Sequence, residues 1–247
     1  MKKTLAILLM ATMLVLNLFT GCVSNTDKQN SDAEKVSVTE SAQKHDKEEA
    51  EQLLKNLSGT YGQLWDKALA AEYDQDWLDS CAAIVGKEKA QDAVNTLKAS
   101  VSGTVYGQEA VDKYKDSDRF SFNCDFTQNV QQVTFDGDKI SGIDANGNEV
   151  FSHSYHYIGY DENMGFYQFQ SADEASGEFT YMMLAPDTPA TTYHIEFRYG
   201  SDLEALTKYD AGNYAYWMAA GIPVNADATM VNKAIELFCT ENLEQES

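Results

Sequence analysis

The apolar positions of this chain change period part-way along it. From Asp46 to Leu57, Ala50, Leu53, Leu54 and Leu57 recur at the spacing of one helix face. The same spacing predicts helices over Leu64–Glu72, Asp76–Val85 and Lys87–Ala99, with Gly86 separating the last two. Leu64, Ala68, Trp77 and Leu78 are their apolar sides and need a larger body to pack on. From Arg119 the period drops to two. Phe120, Phe122, Cys124 and Phe126 share one face of a predicted strand, Arg119–Phe126. Val130–Phe135 and Lys139–Ile143 follow, joined at Asp136-Gly137, and Asn146-Gly147 leads into Glu149–Tyr160. Gly165–Ser171, Phe179–Ala185 and Thr191–Tyr199 complete the predicted strands. A helix near Leu203–Tyr209, an aromatic loop around Tyr214–Trp217 and a last helix from Asp227 to Asn242, with Asp227 as N-cap, end the chain. Short strands at hairpin spacing predict an antiparallel meander that hides its edges by closing into a barrel. The fold class is therefore mainly β with helical additions.

The first residues break from both periods. Met1-Lys2-Lys3 precedes an apolar run from Leu5 to Phe19, then Thr20-Gly21-Cys22. The run is shorter than the roughly 20 residues a membrane span needs and has the layout of a secretory signal. Phe19-Thr20-Gly21-Cys22 resembles a lipobox, in which small residues admit the peptidase and the Cys22 thiol receives a diacylglycerol. The expectation is a signal peptide over 1–21, lipid attachment at Cys22, and residence on the extracytoplasmic face of the cell membrane. Residues 22–45 are polar, without an aromatic residue, and cannot offset the entropy of folding; they read as a flexible leash. Residues 46–247 are then one folded domain.

Charge narrows the partners. With 18 Lys+Arg against 39 Asp+Glu the chain carries −21, and loss of Lys2 and Lys3 with the signal makes it more acidic. Such a body repels phosphate backbones, which excludes nucleic acid as a partner. Besides Cys22 there are Cys81, Cys124 and Cys239, which permit at most one internal disulfide and form no C-x-x-C pair. They read as buried small hydrophobes. No G-x-S-x-G, P-loop or H-E-x-x-H is present, so an enzyme is not expected. Asp144-Ala-Asn146-Gly-Asn148 begins like a calcium loop but has Glu149 where glycine is required and Tyr155 where glutamate is required. His153 and His156, three apart on a predicted strand, fall on opposite faces.

His194 differs in its surroundings. Met182-Met-Leu-Ala185-Pro186, a short loop, then Thr192-Tyr193-His194-Ile-Glu-Phe-Arg-Tyr-Gly200 resembles the ZinT (YodA-type) zinc-binding family. Tyr155-His-Tyr-Ile-Gly-Tyr160 and Asn213-Tyr-Ala-Tyr-Trp217 with Ile222-Pro223 extend the resemblance, which runs from about Leu57 to Leu243. It implies a lipocalin-like (calycin) antiparallel barrel with N-terminal helices and a C-terminal helix. It also implies zinc held by three histidines at the barrel mouth, and a role beside a metal ABC importer. At those three positions this sequence has Met182, Thr192 and His194. These are the candidate metal residues, with Glu196, tyrosines, His153 or His156 as replacements across the barrel. Two functions stay open: a metal-binding accessory lipoprotein, and a barrel with a degenerate metal site that takes a small organic ligand or a surface partner.

Overall fold

The computed structural model describes residues 47–244. The expected signal peptide, Cys22 and leash lie outside those residues. Helix α1, residues 47–56, buries Ala50, Leu53 and Leu54, as its periodicity requires. The chain then runs β1 (Gly59–Gln63), α2 (Leu64–Ala68), α3 (Asp74–Val85), α4 (Lys87–Ser100) and α5 (Gln108–Tyr114). Next come β2 (Gln132–Asp136), β3 (Lys139–Ile143), β4 (Glu149–Asp161), β5 (Phe166–Ser171), β6 (Tyr181–Leu184) and β7 (Ile195–Gly200). Helix α6 (Leu203–Leu206), β8 (Ala219–Pro223) and α7 (Ala228–Leu243) complete it. Asp227 caps α7 by accepting from the Met230 N–H.

The eight strands form one closed antiparallel barrel in chain order, with β8 returning to pair with β1. This is a calycin-like barrel with helical additions. Hairpin β2–β3 turns through Gly137, whose φ of +61° suits glycine, and Asp136 pairs with Lys139 as a two-residue loop demands. The Asp144 loop is a hairpin turn: its carboxylate accepts from the backbone of Asn146 and Asn148 and from the Asn148 side chain.

Two expected elements are corrected. Arg119–Phe126 is not a barrel strand; it makes only an isolated bridge between Asn123 and Trp217. Its alternation comes instead from packing as a crossing segment, in which Phe122 bonds Ser100 and Gly103, and Asn123 bonds Tyr216 and Met218. The barrel is closed by β1 and β8, which carried no alternating pattern. The strand expected from Thr191 begins only at Ile195.

Inward positions hold rings in contact. Tyr61 meets Phe135 edge-on, Phe135 meets Phe197, and Phe126 lies 5.2 Å from Phe197. Aromatic pairs of this kind add to the area term that stabilises a core. A second apolar cluster lies outside the wall. There Ala220 and Ile222 of β8 meet Trp65, Trp77, Val231, Ile235 and Phe238 of the helices. Strand β7 runs between these two layers and is buried on both faces.

Candidate metal centre

Along β7, Ile195, Phe197 and Tyr199 belong to the barrel cluster, so the alternating Glu196 and Arg198 point outward beneath the helical layer. Glu196 is opposite Ala220, whose side chain belongs to that layer. Strand β6 fixes its level, because the Ala185 N–H donates to the Glu196 carbonyl. A carboxylate is thereby held in an apolar wall with 4% of its surface exposed.

The loop between β6 and β7 supplies the other groups. Its turn is tied by Thr188, whose carbonyl accepts from the N–H groups of Thr191 and Thr192. Tyr193 then adopts φ +65°, so residues 192–194 do not form a strand. His194 follows, and its Nδ1 lies 2.6 Å from the Thr192 carbonyl oxygen. A carbonyl can only accept, so Nδ1 carries a proton and Nε2 faces the acids. Nε2 is 3.6 Å from Glu196 Oε1, and ligand atoms of Asp187, His194 and Glu196 all lie within 4.8 Å of one another. Asp187 is 3% exposed and His194 9%.

Electrostatics tie the three together. Burial pushes the His194 pKa down, but Glu196, Asp187 and the Thr192 carbonyl outweigh it and raise it to about 9. Burial and then Glu196 raise Asp187 to about 7, against the opposing pull of His194. Glu241, on α7, is raised by burial, and His194 partly opposes this. The orphan in the group is Glu196 Oε1, which is buried and has no hydrogen-bond partner. Two ligands held about 2.1 Å from one ion at tetrahedral angles would be about 3.4 Å apart. The 3.6 Å separation of Nε2 and Oε1 matches that requirement. Metal-bound histidines also characteristically donate their other ring N–H to a carbonyl, as His194 does.

Comparison with solved structures finds a chain of similar fold: the Zn(II)-bound ZinT-like domain of Streptococcus pneumoniae AdcA. Its TM-score is 0.48 at 13% identity, covering 74% of this chain and 89% of that one. Zn(II)-bound AdcA from Streptococcus pneumoniae is a second, with TM-score 0.43 and 12% identity over 74% of this chain and 34% of that one. No family model and no curated protein matches.

The expected residues are distributed differently from the expected site. His194 and Glu196 are together. Thr192 is adjacent, but its hydroxyl is directed at the Thr188 and His194 carbonyls, and its backbone oxygen orients the imidazole. Met182 pairs with Tyr199 near the end of β7 away from His194. It also belongs to the cluster inside the barrel, on the other face of the sheet from Glu196. His153 bonds Asp173 at 2.7 Å and His156 lines a cleft beside α1; neither joins the group. No motif or spacing in the sequence points to Asp187. Its one signal is that no other acidic residue occurs between Glu178 and Glu196.

Proposed function

We propose that this chain is a non-enzymatic, membrane-anchored accessory protein that binds a divalent transition ion, zinc foremost, through His194, Glu196 and Asp187. The single observation that carries the reading is the buried Glu196 Oε1, which forms no hydrogen bond and lies 3.6 Å from the Nε2 of an imidazole turned toward it. One imidazole and two carboxylates form a donor set for a borderline ion, and two anionic ligands balance a dication in an apolar wall. The lipobox-like Phe19–Cys22 supports anchoring on the extracytoplasmic face, where the bound ion would be handed to a metal importer. The test is a zinc titration of the metal-free full chain against a chromogenic chelator. One ion per chain with micromolar or tighter affinity is expected, and His194→Ala should weaken it at least 100-fold. Equal binding by the variant would remove the assignment.

The small-ligand alternative has its own supporting observation. A cleft of about 300 Å³ outside the barrel is lined by Tyr114, Phe120, Phe122, Tyr209 and Tyr216. An organic adduct in native mass spectra, with no metal adduct, would favour it.

A further inference from the structure

The titratable groups left unused by the metal reading include three buried thiols. Two of them meet. Cys81 is on α3 and Cys239 on α7, and their sulfurs lie 3.6 Å apart with both residues fully buried. They are 158 residues apart in sequence, so only the packing of α3 on α7 brings them together. They share an apolar cluster with Trp77, Phe238 and Ile235, and among the described residues neither belongs to a group that could hold a metal ion. Cys124 stands apart: its thiol is directed at the Phe122 carbonyl, 3.9 Å away.

We infer that Cys81 and Cys239 are a disulfide site joining α3 to α7, closed by exchange with an external small-molecule disulfide. In the first step one cysteine sulfur attacks the external disulfide, forming a mixed disulfide and releasing one thiol. In the second, the other cysteine sulfur attacks the protein sulfur of that mixed disulfide and releases the second thiol. Two protein thiols are oxidised, one external disulfide is reduced to two thiols, and both cysteine protons end on the released thiols. The sulfurs must approach from 3.6 Å to about 2.05 Å. Because the pair is buried, closure occurs during folding or on transient separation of α7 from α3. The inference does not depend on the metal site.

A cross-link that closes so long a loop restricts the unfolded chain strongly and should raise the melting temperature by about 10 °C. The test uses the full chain, refolded with oxidised and reduced glutathione, then alkylated in denaturant and digested without reductant. A Cys81–Cys239 linked peptide, Cys124 carrying the alkyl group, and a Tm about 10 °C above the reduced form are expected. The Tm difference should vanish in a Cys81→Ala/Cys239→Ala double variant and persist in Cys124→Ala. Alkylation of both Cys81 and Cys239, or a linkage of either to Cys124, overturns the inference. If the double variant does not fold, the peptide map of the unsubstituted chain decides alone.

Discussion

Glu196 and Arg198 are two residues apart on one face of one strand, and both are buried charges. Their surroundings differ. The Arg198 guanidinium donates to the carbonyls of Leu206, Lys208 and Tyr214, and it lies over the Tyr209 ring at 5.4 Å. Only its Nε lacks a partner. Burial brings its pKa down to about 10, which leaves it charged at neutral pH. The arginine clamps the α6 turn and the aromatic loop onto β7, which is an architectural task. Glu196 has no such clamp. It faces an imidazole and a second carboxylate, with one oxygen unbonded. Its counter-charge is the His194 imidazole 3.6 Å away, a pair without a hydrogen bond whose proton a cation can replace. One charge serves the fold and the other leaves capacity for a cation.

The comparison breaks most sharply at the arginine. Arg198→Leu leaves three carbonyls without their donor and should cost about 3–5 kcal/mol, a fall in Tm of about 10 °C. Zinc affinity of the molecules that remain folded should change less than about threefold. Thermal unfolding of the metal-free protein, followed by circular dichroism, measures the first, and chelator competition the second. Glu196→Gln should give the mirror image. The amide keeps the shape, so at pH 9, where the His194 proton contributes least, the metal-free Tm should stay within about 3 °C, while zinc affinity falls about 100-fold, or about 2.7 kcal/mol. A collapse of Tm with affinity preserved would make Glu196 another structural charge.

A smaller effect sharpens the contrast through pH. Zinc must displace the His194 proton, held up to about 9, so affinity should rise about tenfold per pH unit between 7 and 9. Below about 7, Asp187 must also lose a proton, and the dependence should steepen. The same raised imidazole gives a sign for stability. It favours the folded state fully below its unfolded value of about 6.5, and that contribution is lost as pH rises through about 9. The Tm of the metal-free protein should therefore fall by several degrees from pH 6.5 to 9, and His194→Gln should flatten that fall. A flat profile in the unsubstituted protein would show that the acids do not hold the proton.

Much of the fold was readable because most elements repeat a period. Ala50, Leu53 and Leu54 marked α1, Asp227 marked the start of α7, and Asp136-Gly137 marked a hairpin. The strands that close the barrel were not readable. Gly59–Gln63 contains two glycines, and Ala219–Pro223 reads Ala-Ala-Gly-Ile-Pro. At Gly221 a Cβ would come within 3.0 Å of Ile195 and 3.2 Å of Phe126. Crowding inside the barrel selects a small residue where a strand pattern would show a large one. Arg119–Phe126 erred the other way, since alternating aromatics served a crossing segment rather than a sheet. At the candidate site, His194 and Glu196 were visible as neighbours in sequence. Asp187 reaches them only through the turn at Thr188–Tyr193, whose φ of +65° at Tyr193 no spacing rule anticipates.

X-ray absorption at the zinc edge of the zinc-loaded full chain tests the central claim most directly. One imidazole with two or three oxygen donors at 2.0–2.1 Å and no sulfur is the predicted shell, with imidazole scattering lost in His194→Ala. A shell of several imidazoles, any Zn–S distance near 2.3 Å, or a spectrum of hydrated zinc alone would contradict it.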